Sequence, residues 1–172
     1  IEEVKLDRAK ARQKNIDYNT KETIKHFKTG LSWMLDIDNQ TDVQSFIFYQ
    51  HRDFYSLLPF NFGGIVSLDK NIFGLGSRLQ RKTIKDNLIN TFQLGFDYSN
   101  QKDQRDRYRN DFGEQGENVF SQLEKFSSFG LFALHQTEFD NGLLLRFGSR
   151  FDANQISTDN INQSIVLNKL NP

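Results

Sequence analysis

The chain has 172 residues, near the usual size of a single compact domain, and its 22 basic residues balance its 22 acidic residues. Zero net charge removes any argument for nucleic-acid binding that is based on overall electrostatics. The sequence contains no cysteine, which excludes disulfides, zinc–thiolate sites and thiol nucleophiles, and it has no apolar run long enough for a membrane-spanning helix.

The first 24 residues differ from the rest, because charged residues crowd together and apolar residues show little periodicity. A helix from Val4 to Arg12 and a loop are both compatible with this segment, and its charge favours a loop or a solvated helix. No charged segment followed by an apolar stretch stands at Ile1, so we expect a processed or truncated chain without a signal peptide.

From His26 onward the apolar residues recur with a period of two, which is typical of β-strands. In the first predicted strand one face is apolar, with Phe27, Thr29, Leu31, Trp33, Leu35 and Ile37, and the other is mostly polar. Similar alternation predicts strands over residues 73–81, 91–99 and 143–152. Two further strands, over residues 43–55 and 125–139, are apolar on both sides and their faces cannot be assigned. A seventh strand is predicted to begin at Ser164.

The predicted connections alternate between short and long. Tight turns are predicted near residues 39–41, 85–87 and 140–142, and long polar loops over residues 60–71, 99–118 and 152–162. One end of the sheet would then carry short turns and the other long loops, as in transmembrane β-barrels of the outer-membrane type.

Two architectures share this pattern. A soluble antiparallel sandwich or calyx packs its apolar face into a core, whereas a membrane barrel turns that face to lipid and its polar face to a wet interior. Long strands, the asymmetry of the loops and aromatic residues near the predicted strand ends favour the barrel. The aromatic residues are Phe27, Phe54, Tyr55, Phe73 and Tyr98. We therefore predict an all-β antiparallel meander of six to seven strands, a segment of a transmembrane β-barrel. Residues 1–24 form a charged extracellular loop or short helix, and residues 25–172 form the partial barrel domain.

Five short motifs follow one another in an order that resembles the barrel of TonB-dependent outer-membrane receptors. They are Phe92–Tyr98, Arg105–Gly116, Gln122–Glu124, Phe129–Ala133 and Gly148–Asp152. The segment Arg52–Phe60 also resembles a loop from one branch of that family. Phe151 stands where the family usually has tyrosine, and Leu134-His135 where it often has glutamine.

The resemblance implies a receptor in the bacterial outer membrane that takes up an iron–siderophore or a similar scarce nutrient. It also implies a barrel of twenty-two strands and an N-terminal plug domain that engages an inner-membrane energy-coupling complex. Neither the full barrel nor the plug is present in this sequence, so the chain resembles an internal barrel fragment. The implied partners are the nutrient ligand, the lipid bilayer and, through the plug, the energy-coupling complex.

The sequence shows no catalytic machinery and no cofactor motif. His26, His51 and His135 are isolated from one another and lack a spaced set of carboxylates, so we predict no metal site. Asp36 and Asp38 are explained better as interior wall than as a catalytic pair. No phosphate-binding glycine loop and no serine-nucleophile motif is present.

The cluster Arg105, Arg107, Tyr108 and Arg109 is the best candidate for ligand recognition. It lies in the longest predicted loop and combines guanidinium donors with an aromatic ring, which suits an anionic, flat chelate. The simpler interpretation, which we favour from the sequence, is that these charges solvate the loop and pair with Asp103, Asp106, Asp111 and Glu114. We expect a transporter rather than an enzyme. The alternatives are a soluble β-sheet binding or adhesion domain and, more weakly, an outer-membrane enzyme.

Overall fold

The computed structural model describes residues 8–86 and 88–160. One helix, α1 (Arg8–Asp17), precedes six strands, which are β1 (Lys21–Asp38), β2 (Thr41–Leu57), β3 (Ile65–Lys85), β4 (Leu88–Asp111), β5 (Glu114–Glu138) and β6 (Leu144–Asn160). They form one sheet in chain order, each strand antiparallel to the next. The predicted all-β antiparallel meander is confirmed, whereas the predicted seventh strand lies outside the described residues. No helix in the described part of the chain has the length and apolarity needed to cross a membrane.

The segment that precedes the sheet is an exposed helix followed by the start of a strand. Helix α1 includes the described part of the predicted Val4–Arg12 helix and continues to Asp17, and its described side chains are exposed. Strand β1 begins at Lys21, before the predicted domain boundary at residue 25.

The tight turns are confirmed at one end of the sheet, and the loop predictions are wrong at the other. The predicted loop at 99–118 is instead the second half of β4, a two-residue turn at Phe112-Gly113 and the start of β5. Both turn residues have positive φ, 53° and 97°, as a tight hairpin of the type I′ class requires. The loop between β2 and β3 covers only residues 58–64, and β6 continues to Asn160. We call the end of the sheet that carries the β2–β3 loop and the β4–β5 turn the distal end.

Strand pairing assigns every strand to two faces, including the two whose faces the sequence left open. On β2, Ile47 lies opposite Leu75 and Phe48 lies opposite Gly74, so these two neighbours point to different faces. The face that carries Ile47 contains rows of apolar residues, and we call it the apolar face. One such row is Leu31, Ile47, Leu75, Tyr98, Phe129 and Ala153. The opposite face carries Gln44, Arg78, Asp97, Arg150 and Asp152, and we call it the polar face.

The apolar face is not packed against any other part of the described structure. Phe92, Leu94 and Phe96 are 38–45% exposed, and Leu145 and Phe147 are 41% and 69% exposed. Among the described residues, Leu57 and Ile65 are the only buried hydrophobic side chains, and both lie at the distal end. The sheet therefore has no apolar core of the kind that stabilises a soluble sandwich.

The apolar band covers only part of each strand. On β2 and β3 its distal edge is the pair Tyr49 and Phe73, and the next row on the same face is His51 and Asn71. The aromatic residues predicted to mark strand ends therefore fall into two groups. Phe73 and Tyr98 lie within strands, near the edge of the apolar band, whereas Phe54 and Tyr55 lie beyond that edge. Beyond this edge, both faces of the sheet are largely polar.

Glycines on the polar face make room for aromatic rings from the adjacent strand. A Cβ atom at Gly74 would collide with the Phe48 ring, and one at Gly76 would lie 2.7 Å from the Phe46 ring. A Cβ at Gly95 would collide with the Phe132 ring and lie 2.8 Å from the carbonyl oxygen of Ser77. These rings therefore lie against the backbone of the neighbouring strand.

Candidate functional site

The predicted arginine cluster lies on a strand rather than in a loop, and the structure divides it. Arg105 and Arg107, two residues apart on β4, line a cavity of about 370 Å³ at the distal end. Phe62 and Gly63 of the β2–β3 loop, together with Val119 and Phe120 of β5, complete the lining. We call this the distal cavity. Two guanidinium groups beside exposed and half-buried aromatic rings form a surface suited to an anion with an apolar part.

The β2–β3 loop is held in place by backbone hydrogen bonds. Leu58 N donates to Gly64 O over 2.7 Å, and Asn110 N donates to Asn61 O over 2.8 Å. A Cβ at Gly64 would overlap the carbonyl oxygen of Phe60, so the loop requires glycine at this position. The loop is therefore fixed to β4, and Phe62 is fixed beside the arginines.

A fully buried side chain, Asn110, joins four segments at the distal end. Its Nδ2 donates to Tyr18 O over 3.1 Å and to Leu58 O over 3.0 Å, and its Oδ1 accepts from Gly113 N over 2.7 Å. The end of α1, the β2–β3 loop and the β4–β5 turn are thus tied to β4. Sequence analysis did not single out Asn110, because one asparagine in a polar segment gives no signal without its partners.

Arg109 and Tyr108 belong to the supporting structure. Arg109 Nε donates to Asn61 Oδ1 over 3.0 Å, and its Nη1 lies 3.3 Å from Glu117 Oε1. Tyr108 is paired with Ile65 in the sheet and does not line the distal cavity. Of the four predicted site residues, the structure therefore brings two together around a cavity.

The two cavity arginines differ in their partners. Arg105 Nε lies 3.6 Å from Glu124 Oε1, a long ion pair between partly exposed side chains. Arg107 is paired in the sheet through its backbone, and its side chain makes no hydrogen bond or ion pair with any other described residue. The positive charge of Arg107 is consequently available to a ligand. The charge of Arg109 is not, because Arg109 is paired with Glu117, and the sequence alone did not distinguish the two.

The arginines of the polar face have unequal environments. Arg150 forms ion pairs with Asp97 at 2.8 Å and with Asp152 at 2.7 Å, and its guanidinium lies 5.9 Å from the centroid of the Phe132 ring. Arg146 donates to Gln136 over 2.7 Å. Arg78 donates to Gln44 over 2.9 Å, and no described carboxylate pairs with it. Gln93, Asp97, Arg146 and Arg150 share this face.

The expectation that the histidines lack neighbouring carboxylates is wrong for His51. On the apolar face, one row beyond the Tyr49–Phe73 edge of the band on β2 and β3, His51 Nε2 lies 3.1 Å from Asp53 and its Nδ1 lies 3.8 Å from Asp69. The hydrogen bond between His51 Nδ1 and Asn71 Oδ1, helped by the two carboxylates, raises the pKa of His51 above its usual value. Nε2 faces Asp53, and Nδ1 faces Asn71 with Asp69 behind it, so both ring nitrogens face acceptor oxygens, an arrangement that favours the protonated imidazole.

A partial signal for this cluster exists in the sequence. The spacing His51-x-Asp53 places both side chains on one face of a strand. Asp69 joins them only through the pairing of Asp53 with Asp69 across β2 and β3. That pairing depends on the length of the intervening loop, which was overestimated, so the third member could not be foreseen.

Comparisons with known proteins identify structures of similar fold. A scan against protein-family models gives no match, and a search of curated proteins gives none either. Among solved structures, the chain is similar to the ferric citrate transporter FecA in its unliganded form, with a TM-score of 0.67 and 14% identity. That match covers 84% of this chain and 23% of the FecA chain.

A second solved structure of similar fold is BauA, the ferric preacinetobactin receptor from Acinetobacter baumannii. The TM-score is 0.57 at 10% identity, and the match covers 80% of this chain and 26% of the BauA chain. The chain thus spans about a quarter of the length of each structure. At these identities the likeness concerns the fold, and the six-stranded meander matches a segment of a large β-barrel.

Proposed function

We propose that this chain is a segment of a TonB-dependent outer-membrane transporter that takes up an iron–siderophore or a similar scarce nutrient. The observation that carries the proposal is the exposed apolar face of a sheet without a packed core, in a fold similar to two iron-complex receptors. A soluble binding or adhesion domain would instead bury these side chains.

The dimensions of the apolar band support a position in a bilayer. On β1 the apolar residues run from Phe27 to Ile37. Ten residue intervals span about 33 Å along a strand, which is about 25 Å vertically at a tilt of about 40°. This is the height of the apolar band on known membrane barrels. The polar face would line the interior, and the distal end would lie outside the cell.

The mechanism that follows uses binding without chemical change. Arg107 and Arg105 attract an anionic ligand into the distal cavity, where Phe62 and Phe120 cover its apolar part. The ligand then passes along the polar face into the barrel. By its resemblance to TonB-dependent receptors, the intact protein would contain a plug that is rearranged by an energised inner-membrane complex. The protein is accordingly a carrier and not an enzyme.

Iron uptake by the full-length gene product tests this proposal. The protein is expressed in a bacterial host that lacks its own iron-complex receptors, and uptake of radioactive iron is measured with a panel of anionic chelates. We expect uptake of at least one chelate, and we expect its loss when the inner-membrane proton gradient is collapsed. Absence of uptake for the whole panel, with the protein folded in the outer membrane, would contradict the proposal.

Substitution of the cavity arginines tests the site itself. The double variant Arg105→Gln, Arg107→Gln should weaken binding of the transported chelate by about tenfold or more. A charged hydrogen bond contributes about 1.5–3 kcal/mol when desolvated and far less when exposed. Arg81→Gln, which removes one arginine charge far from the distal cavity, is the control and should bind normally. If the double variant binds the chelate as tightly as the control does, the cavity arginines only solvate the strand and do not bind the ligand.

A further inference from the structure

Two carboxylates lie directly opposite each other on the apolar face, beyond the apolar band. Asp53 of β2 pairs with Asp69 of β3, and the next pair toward the band is His51 and Asn71. We call these four residues the His51 cluster. Among the described residues, only His51 and Asn71 contact the two carboxylates, and Lys25, which pairs with Asp53 across β1 and β2, forms no ion pair. Like charges that are directly opposite on paired strands repel each other, so this pair favours a bound cation.

Hydrogen bonds fix the orientation of the His51 ring. Asn71 Nδ2 donates to Asp69 over 2.5 Å, so the amide oxygen of Asn71 faces the ring, 3.0 Å from His51 Nδ1. An amide oxygen only accepts, so Nδ1 carries the hydrogen and donates it. In the neutral ring, Nε2 then presents a lone pair to Asp53, 3.1 Å away. Two acceptor atoms that face each other at this distance need a proton or a metal ion between them.

The distances in the His51 cluster suit a metal ion. Ligand atoms around a tetrahedral zinc ion, with bonds of about 2.0–2.1 Å, lie about 3.3 Å apart, and the 3.1 Å between His51 Nε2 and Asp53 is close to this value. One ligand atom from each of His51, Asp53 and Asp69 lies within 4.8 Å of the other two. Asn71 supports the ring at Nδ1, as the partners of metal-bound histidines do.

Space for a further ligand exists beside the two carboxylates. Asp53 and Asp69 both line an open cavity of about 490 Å³ on the apolar face. A water molecule in this cavity can complete the coordination of an ion that three side chains hold, as in zinc sites with an open position.

We infer that His51, Asp53 and Asp69 bind a divalent transition-metal ion of the zinc type, with the imidazole and the two carboxylates as ligands. The imidazole favours such an ion over Ca²⁺ and Mg²⁺, which prefer sites made of oxygen ligands alone. The ion would link β2 to β3 just beyond the apolar band. The inference rests on the pairing of these two strands and is independent of the proposed transport function.

The cluster also has an explanation without a metal ion, because a proton on the imidazole satisfies Asp53 and offsets part of the negative charge. That explanation requires no affinity for zinc at this place. Zinc binding that is lost when either His51 or Asp69 is replaced therefore separates the two explanations.

The test uses the purified full-length protein in detergent, with zinc chloride as the probe. Isothermal titration calorimetry at pH 7.5 measures the affinity and the number of zinc ions bound. His51→Gln and Asp69→Asn should each weaken binding at this site by at least about tenfold. Zinc bound to the unmodified protein should remain bound in a hundredfold excess of Ca²⁺ or Mg²⁺.

Two control variants remove the same chemical groups outside the cluster. His26→Gln replaces a histidine on β1, and Asp159→Asn replaces a carboxylate on β6 that lies in the same row of the same face as Asp69. Both controls should bind zinc as the unmodified protein does.

Thermal unfolding with and without zinc gives a second measurement. Zinc should raise the melting temperature of the unmodified protein and of both controls, but not of His51→Gln or Asp69→Asn. Asp69→Asn changes the shape of the side chain little, so the inference can be tested even if His51→Gln fails to fold. Unchanged zinc binding in the cluster variants, an equal loss in the controls, or displacement of zinc by Ca²⁺ would overturn the inference.

Discussion

The His51 cluster makes the pairing of β2 with β3 sensitive to pH. His51 and Asp53 lie on β2, Asn71 and Asp69 lie on β3, and the contacts of the imidazole cross between the two strands. The Asn71 hydrogen bond, with the neighbouring carboxylates, raises the pKa of His51 above about 6.5. Because the folded pKa is raised, the stabilisation is complete below pH 6.5 and is lost as the pH rises through the raised value.

We therefore predict that His51→Gln lowers the melting temperature of the full-length protein more at pH 5.5 than at pH 8.5. His26→Gln, on β1 and outside the cluster, is the matched control and should not show the same difference. The measurement is thermal unfolding in detergent at both pH values. A pH-independent effect of His51→Gln would show that the charged form of the imidazole contributes no stability.

At the scale of single residues, the sequence predicted the chemical role of side chains better than their position in the fold. It identified Arg105 and Arg107 as candidates for anion recognition, and the structure places both at one cavity. It could not separate them from Arg109, because the difference lies in contacts with Asn61 and Glu117, from the β2–β3 loop and β5. Phe62 was missed for the same reason, since its role depends on the folded path of that loop.

At the scale of elements, alternation predicted where strands exist but not how far they extend. Over residues 92–98 the contrast between the two faces is strong, and the strand assignment is confirmed. From Ser99 to Asp111 both faces are polar, and polarity was interpreted as a loop. A strand with water on both sides needs no apolar face, because its backbone is satisfied by its neighbours. Only the Phe112-Gly113 turn marked the true end of β4.

The pairing of glycine with phenylalanine across strands gives a prediction for β4. Gly95→Ala should destabilise the fold by about 1–3 kcal/mol, because the new methyl group meets the Phe132 ring and the backbone of Ser77. Gly148→Ala is the control, since its Cβ would meet the flexible end of Leu134 at 3.1 Å. Urea titration of the full-length protein refolded into lipid vesicles measures both. Equal midpoints for the two variants would contradict the close fit between β4 and its neighbours.

At the scale of the whole molecule, the described sheet is open. Strands β1 and β6 each pair on one side only, so two edges have unpaired backbone groups and one face has exposed apolar side chains. Such edges and patches favour association.

The chain expressed alone should consequently be insoluble without detergent, because nothing within the described structure covers the apolar face. Sedimentation of the refolded chain in buffer, with and without detergent, measures this. A soluble monomer with cooperative thermal unfolding would contradict the membrane assignment and support the soluble alternative. The sequence allowed this prediction as soon as the strand faces were assigned.

One consequence of the unbroken course of β4 concerns distance. Asp97, which pairs with Arg150, and Arg105, which lines the distal cavity, lie on the same strand and the same face, eight residues apart. At about 3.3 Å per residue, this separation is about 26 Å along the strand. The distal cavity and the Arg150 ion pairs therefore lie at two different levels of one continuous strand.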